Sequence, residues 1–169
     1  TSSQRAKEFG KKYSVNFHNS FESLLEHEEF DAALVCTPTF THSDITKRLI
    51  ENKKHVFVEK PMTYLSEDGQ NLIDAAKRNN VILTCGYIER FNPAVASVKD
   101  FLKTQKYGDL IRLEFYREHR MPQHIKDVGV IYDTSVHDID TAMWLFDETP
   151  EIVFAIAGKI NHEHEDFAT

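Results

Sequence analysis

Long apolar runs are missing from this chain of 169 residues, and nothing in it approaches the ~18 consecutive apolar positions that a membrane-spanning helix needs. An excess of basic charge is missing too. With 20 Lys and Arg against 27 Asp and Glu, the net charge is −7, and the cations form no stripe suited to a phosphate backbone. No secretory leader is visible, since residues 1–14 are charged and read as part of an amphipathic helix. Cysteine is scarce: Cys36 and Cys85 both lie in apolar runs, where a free thiol behaves as a small hydrophobe. A reduced, cytoplasmic protein is therefore expected, with partners that are neither nucleic acid nor membrane. Glycine is the most telling shortage. The six glycines stand at 10, 69, 86, 108, 129 and 158, and no two have the spacing of the dinucleotide fingerprint G-x-G-x-x-G. Either no dinucleotide binds, or its pyrophosphate cradle lies upstream of Thr1. The length suits one ordinary domain, or one and a half small ones.

What is present has a clear rhythm. Residues 2–13 carry Ala6, Phe9 and Tyr13 at helical spacing, and Asn19 with Glu22 resembles a capping box for a short helix. Ala32-Ala33-Leu34-Val35-Cys36 reads as a strand buried on both faces, followed by a helix around 42–53. His55-Val56-Phe57-Val58 is a second such strand. Ser66 with Glu67 and Asp68 opens a further helix, and 81–85 is a third strand. This alternation predicts a parallel sheet built from βαβ units.

The pattern changes after Tyr87. Asn92-Pro93 starts a helix bearing Ala94, Val95, Val98, Phe101 and Leu102. Residues 110–117 alternate in the manner of a half-solvated antiparallel strand, a helix is expected around 131–147, and a last strand around 151–157. The boundary between two domains is placed near Gly86 to Glu89. The fold class is thus α/β: a parallel sheet over 1–87, then over 88–169 an α/β domain whose alternating segment suits an antiparallel sheet.

Right-handed crossovers bring the C-terminal tips of parallel strands to one edge, where ligands of open α/β sheets bind. The tips here are Thr37-Pro38-Thr39, Glu59-Lys60-Pro61 and Gly86-Tyr87. Polar turns alone would account for any one of them; three together point to a site. Pro61 biases Lys60 toward an extended backbone, and X-Pro geometry permits a cis bond there.

A second constellation lies in the late helix. At about 100° per residue, Asp133, His137, Asp140 and Trp144 share an arc opposite an apolar face. Asp133 and His137 at i and i+4 suit acid–base work, with Asp133 expected to orient His137 and raise its basicity. The competing reading is a solvated helix face. D-x-x-x-H also supplies two metal ligands, but no third has suggestive spacing, so no metal is expected. His162-Glu163-His164-Glu165 has a metal-like composition, yet reads better as a polar loop.

T-P-T-F-T-H at 37–42, E-K-P at 59–61 and D-x-x-x-H at 133–137, in that order, resemble the glucose–fructose oxidoreductase/inositol dehydrogenase family (Gfo/Idh/MocA). The likeness covers nearly the whole chain. Within the family, G-Y-I-E-R-F-N-P at 86–93 and K-D-V-G-V-I-Y-D at 126–133 look most like the branch acting on UDP-N-acetylglucosamine at C3. The resemblance implies an incomplete Rossmann-type parallel sheet followed by an incomplete α/β domain with a largely antiparallel open sheet. It implies NAD or NADP as cofactor, a sugar, nucleotide-sugar or cyclitol hydroxyl as substrate, and a homo-oligomer when full length. It implies Lys60, His137 and Asp133 as the catalytic group, with the base left open between Lys60 and His137. Thr37, Pro38, His42 and Glu59 would line the cofactor together with Lys60. For substrate, Tyr87, Arg90 and Arg117 are candidates, with Arg112 and Arg120 as further handles for a diphosphate. A non-catalytic sensor of a dinucleotide or sugar is the alternative, though it has no need of a proton-transfer pair. The family's glycine loop would precede residue 1, so an internal fragment is expected, with cofactor binding by this stretch alone left open.

Overall fold

The computed structural model describes residues 2–118 and 127–169. Arg120 and the expected loop around Pro122 lie outside the described residues. The chain falls into two compact units, Thr1–Asp31 and Ala32–Thr169.

The first unit holds α1 (Ser3–Tyr13) and α2 (Phe21–His27). Ser2 caps α1 by accepting from the Arg5 N–H at 3.2 Å. The cap of α2 is Ser20, which accepts from the Ser23 N–H at 3.1 Å. Asn19, expected in that role, instead accepts from the Ser3 hydroxyl. An N-cap must stand at the residue where the backbone turns from extended to helical, and that residue is Ser20.

In the second unit β1 (Ala32–Val35), β2 (His55–Val58) and β3 (Leu83–Cys85) form a parallel sheet in the order β1-β2-β3. The register aligns Val35 with Val58 and Val58 with Cys85, so the three tips finish level. The crossovers are α3 (His42–Glu51), preceded by a 3-10 turn at Thr39–Thr41, and α4 (Ser66–Asn79). Val35, Val56 and Val58 form the core with Leu49 and Ile50 of α3 and Leu72, Ala75 and Ala76 of α4, all less than 9% exposed. The other face of the sheet differs from expectation. Leu34 is 74% exposed and Ile82 66%. An all-apolar strand has the composition for two covered faces, but α3 and α4 pack on only one of them.

Beyond β3 come a 3-10 turn at Ile88–Phe91 and α5 (Pro93–Lys103), capped by Asn92, whose side chain accepts from the Ala94 N–H at 3.1 Å. A π-helical turn at Ile131–Ser135 leads into α6 (Val136–Phe146). Lys99 of α5 closes α6 by donating to the Trp144 carbonyl at 2.5 Å. The alternating segment 110–117 joins no strand ladder among the described residues, and Ile111 is 92% exposed. Of the expected strand at 151–157 only its end pairs: β4 (Ala157–Gly158) lies antiparallel to β5 (Phe167–Ala168). Alternation supplies a face, but a strand forms only where a neighbour accepts its N–H groups.

Candidate functional site

The level strand tips place Lys60 at the C-terminal edge of the sheet. The ladder continues one residue past each strand, with Glu59 N–H donating to Val35 O and Gly86 N–H to Val58 O, both at 2.9 Å. The Lys60–Pro61 bond is cis. Gly86 is buried, and a Cβ there would stand 3.1 Å from the Glu59 carboxylate and 3.2 Å from the Phe57 ring. The absent side chain lets Glu59 lie against the third tip.

His42, expected to line a cofactor, is 1% exposed. Its Nδ1 faces the Pro61 carbonyl and its Nε2 the Thr37 carbonyl, both at 2.8 Å. It joins the first two tips from beneath and presents nothing to a ligand. Thr37 and Thr41 bond through their hydroxyls at 2.6 Å, while Pro38 is exposed and Glu59 half-buried at the same edge.

From the tip of β2, Lys60 crosses to the π-helical turn. Its Nζ donates to the Asp133 backbone carbonyl at 2.5 Å and to Asp133 Oδ1 at 2.8 Å. The two side chains are 19% and 15% exposed, in a setting where a charge-assisted bond is stronger than at the surface. An ammonium carries three N–H donors, so one remains for a ligand.

The expected partnership of Asp133 with His137 is not what forms. Over Ile131–Ser135 the helix widens into a π turn, which advances each residue by less than the α-helical angle. Asp133 thereby swings to Lys60, and His137 Nδ1 is buried with no hydrogen-bond partner among the described residues. The expected rise in His137 basicity is reversed. Burial first, then the positive charges of Lys60 and Arg117, hold its pKa below the ordinary 6.5, against smaller opposing effects of Glu89 and Asp138. The result is a neutral imidazole beside an ammonium.

Three of the arginines proposed as diphosphate handles, Arg90, Arg112 and Arg117, are engaged with carboxylates. Arg90 forms a fork with Asp140, Nε to Oδ2 at 2.7 Å and Nη2 to Oδ1 at 2.6 Å. It lines a groove of about 770 Å³ that also contains Asp147, Glu148 and Glu151, a poor setting for a diphosphate. Arg117 donates through Nε to both oxygens of Asp138 at 2.8 and 2.9 Å, with Glu89 3.5 Å from Nη2. Arg112 pairs with Glu114. The Tyr87 phenol, expected to meet substrate, is half-buried near the Cys85 thiol. Burial chiefly pushes the phenol up to about 12 and the thiol to about 11. Among the described residues no three His, Cys, Asp or Glu side chains converge on a metal-binding point.

Asp127 and Tyr132, both within K-D-V-G-V-I-Y-D at 126–133, support this geometry. Asp127 accepts from the Thr39 N–H through its carboxylate at 3.3 Å and from the Tyr64 hydroxyl through its carbonyl at 2.9 Å. Tyr132, beside Asp133, donates to the Tyr64 carbonyl at 3.1 Å. These contacts join segments more than sixty positions apart, and no local pattern announces them.

Residues 1–87 match the model of the oxidoreductase family with an NAD-binding Rossmann fold, and residues 95–169 match the GFO/IDH/MocA C-terminal domain. A scyllo-inositol 2-dehydrogenase (NAD(+)) of Bacillus subtilis is 36% identical over 126 residues, covering 72% of this chain and 37% of the relative. A UDP-N-acetylglucosamine 3-dehydrogenase of Acidithiobacillus ferrooxidans is 29% identical over 166 residues, covering 98% of this chain and 51% of the relative. A solved structure of an enzyme of that name, from the same organism, superposes with a TM-score of 0.79 at 27% identity, over 99% of this chain and 53% of the other. The chain spans about half the length of the curated relatives it matches. With both family models matched in order along most of its length, the chain belongs to the Gfo/Idh/MocA oxidoreductase family.

Proposed function

We propose that the whole protein oxidises a hydroxyl of a sugar, nucleotide sugar or cyclitol, with Lys60, Asp133 and His137 at its centre. The observation that carries this reading is the Lys60–Asp133 contact at the sheet's ligand edge, with a neutral His137 beside it. In this reading residues 1–87 are the C-terminal part of the dinucleotide-binding domain and 88–169 the first part of the substrate domain, a division that the spans of the two family models support.

The residues present suit a nicotinamide. Gly86 leaves a tip without a side chain, and exposed Pro38, half-buried Thr37 and Glu59, and Lys60 line the edge where NAD or NADP would lie. When bound, that cofactor supplies the acceptor for the substrate hydride. His42 holds two of the tips in place without touching the ligand. The free N–H of Lys60 orients the substrate hydroxyl, and Asp133 holds the ammonium where it does so. His137, neutral near pH 7, takes the hydroxyl proton on Nε2, because Nδ1 is enclosed. The Lys60 charge both lowers the His137 pKa and stabilises the developing alkoxide. Exposed Ile152, Val153 and Phe154 support assembly of the whole protein as a homo-oligomer. The cytoplasm is the compartment that fits its cofactor chemistry.

The test is turnover by the whole protein on inositols and on UDP-N-acetylglucosamine with NAD or NADP, followed by the absorbance of the reduced nicotinamide. Lys60→Ala should lower kcat by about 10²–10⁴-fold with the fold retained. Unaltered turnover would remove Lys60 from the mechanism, and cofactor binding without turnover on any of these substrates would favour a sensor.

A further inference from the structure

The acidic residue at the end of His162-Glu163-His164-Glu165 reaches the turn that carries Asp133. Glu165 precedes β5, and the β4–β5 pairing carries it to the start of the π-helical turn. Its backbone carbonyl accepts from the Val130 N–H at 2.8 Å, and its Oε1 accepts from the Ile131 N–H at 3.3 Å. The first N–H groups of a helix lack partners within it, so one residue here satisfies two of them and sets a carboxylate at the positive end of the helix dipole. Gly129 is buried in the same place. A Cβ on it would collide with the Glu165 carboxylate, so only glycine lets the carboxylate reach the turn. The connection to the site is short. The Asp133 N–H donates to the Gly129 carbonyl at 3.0 Å, and Asp133 receives Lys60 through both its carbonyl and its carboxylate. The hairpin itself is tied down, since the Asp166 carboxylate accepts from the Ile160 and Asn161 N–H groups at 2.8 and 2.6 Å.

We propose that Glu165 is a positioning residue, clamping the Gly129–Ile131 turn so that Asp133 stands against Lys60. The clamp rests on the reading of Lys60 and Asp133 as catalytic groups only for its effect on turnover. Its effect on structure is independent of that reading.

The experiment compares Glu165→Ala and Glu165→Gln in the whole protein by three readouts. These are amide hydrogen exchange at Ile131, the NMR titration of His137, and the split between kcat and KM. Loss of the side-chain bond in Glu165→Ala should speed Ile131 exchange roughly tenfold, the scale of one hydrogen bond. As Lys60 is freed from its seat, the His137 midpoint should move up toward the ordinary value, the Arg117, Glu89 and Asp138 charges around it being unchanged. Turnover should show a kcat reduced by about 10–100-fold, the range of supporting-shell losses, with the KM for cofactor unmoved. Glu165→Gln offers an amide oxygen to the same N–H and should restore all three. If Glu165→Ala fails to fold, Gly129→Ala displaces the carboxylate while keeping the backbone bond, and the same shifts are expected. Unchanged Ile131 exchange and His137 titration, or Gln behaving as Ala does, would overturn the clamp. Shifts in both structural readouts with normal turnover would support the clamp and remove the Lys60–Asp133 pair from the mechanism.

Discussion

Arg90 stands at a fork between two roles, and one substitution separates them. As a diphosphate handle, its loss would raise the KM for a nucleotide sugar and leave stability alone. In the structure its fork holds Asp140, which is 9% exposed, while the Arg90 side chain is 41% exposed. Removing the partner of a fully buried carboxylate costs about 3–5 kcal/mol, whereas an exposed pair is worth about 0–1 kcal/mol. With one end buried and the other open to solvent, about 2 kcal/mol is expected for Arg90→Ala. For a chain of this size that lowers Tm by roughly 4–8 °C. A double-mutant cycle with Asp140→Asn should recover most of the loss, because the uncompensated buried charge is then absent. Thermal unfolding of the four proteins, with KM for UDP-N-acetylglucosamine measured alongside, decides the matter. An unshifted Tm together with a raised KM would refute the structural role and return Arg90 to the substrate.

Two further outcomes follow from the site. His137 is held below its ordinary pKa in the folded state, so the folded protein binds fewer protons than the unfolded one as pH drops through that range. Stability present above about pH 6.5 should therefore decline on acidification, and the decline should shrink in His137→Gln, as read from denaturant midpoints between pH 5 and about 7.5. Gly86→Ala would set a Cβ 3.1 Å from the Glu59 carboxylate and 3.2 Å from Phe57, and a cost of about 1–2 kcal/mol in urea unfolding is expected, as for mild overpacking. No change in midpoint would mean that Glu59 yields freely and does not define the tip.

The alternation of apolar runs with amphipathic helices was enough to determine the parallel sheet. Its strands are short, and each is separated from the next by one helix of the right length to cross over. Parallel topology then brought Thr37, Lys60 and Gly86 to one edge, because chirality leaves the crossovers little choice. Lys60 as the residue standing just past the tip of β2 was legible for that reason. Its partner was not. The i to i+4 spacing of Asp133 and His137 assumes an α-helix, and a π turn at Ile131–Ser135 redirected the carboxylate to a lysine 73 positions away. The arginines show the same limit: Arg90 meets Asp140 across 50 positions, and nothing in either neighbourhood specifies the other. His42 looked like a ligand-facing residue in T-P-T-F-T-H, and packing turned both its nitrogens inward to backbone carbonyls. Local periodicity encodes which backbone elements form, since each depends on a few adjacent residues. Which polar groups pair depends on distances between elements, and only the folded chain sets those.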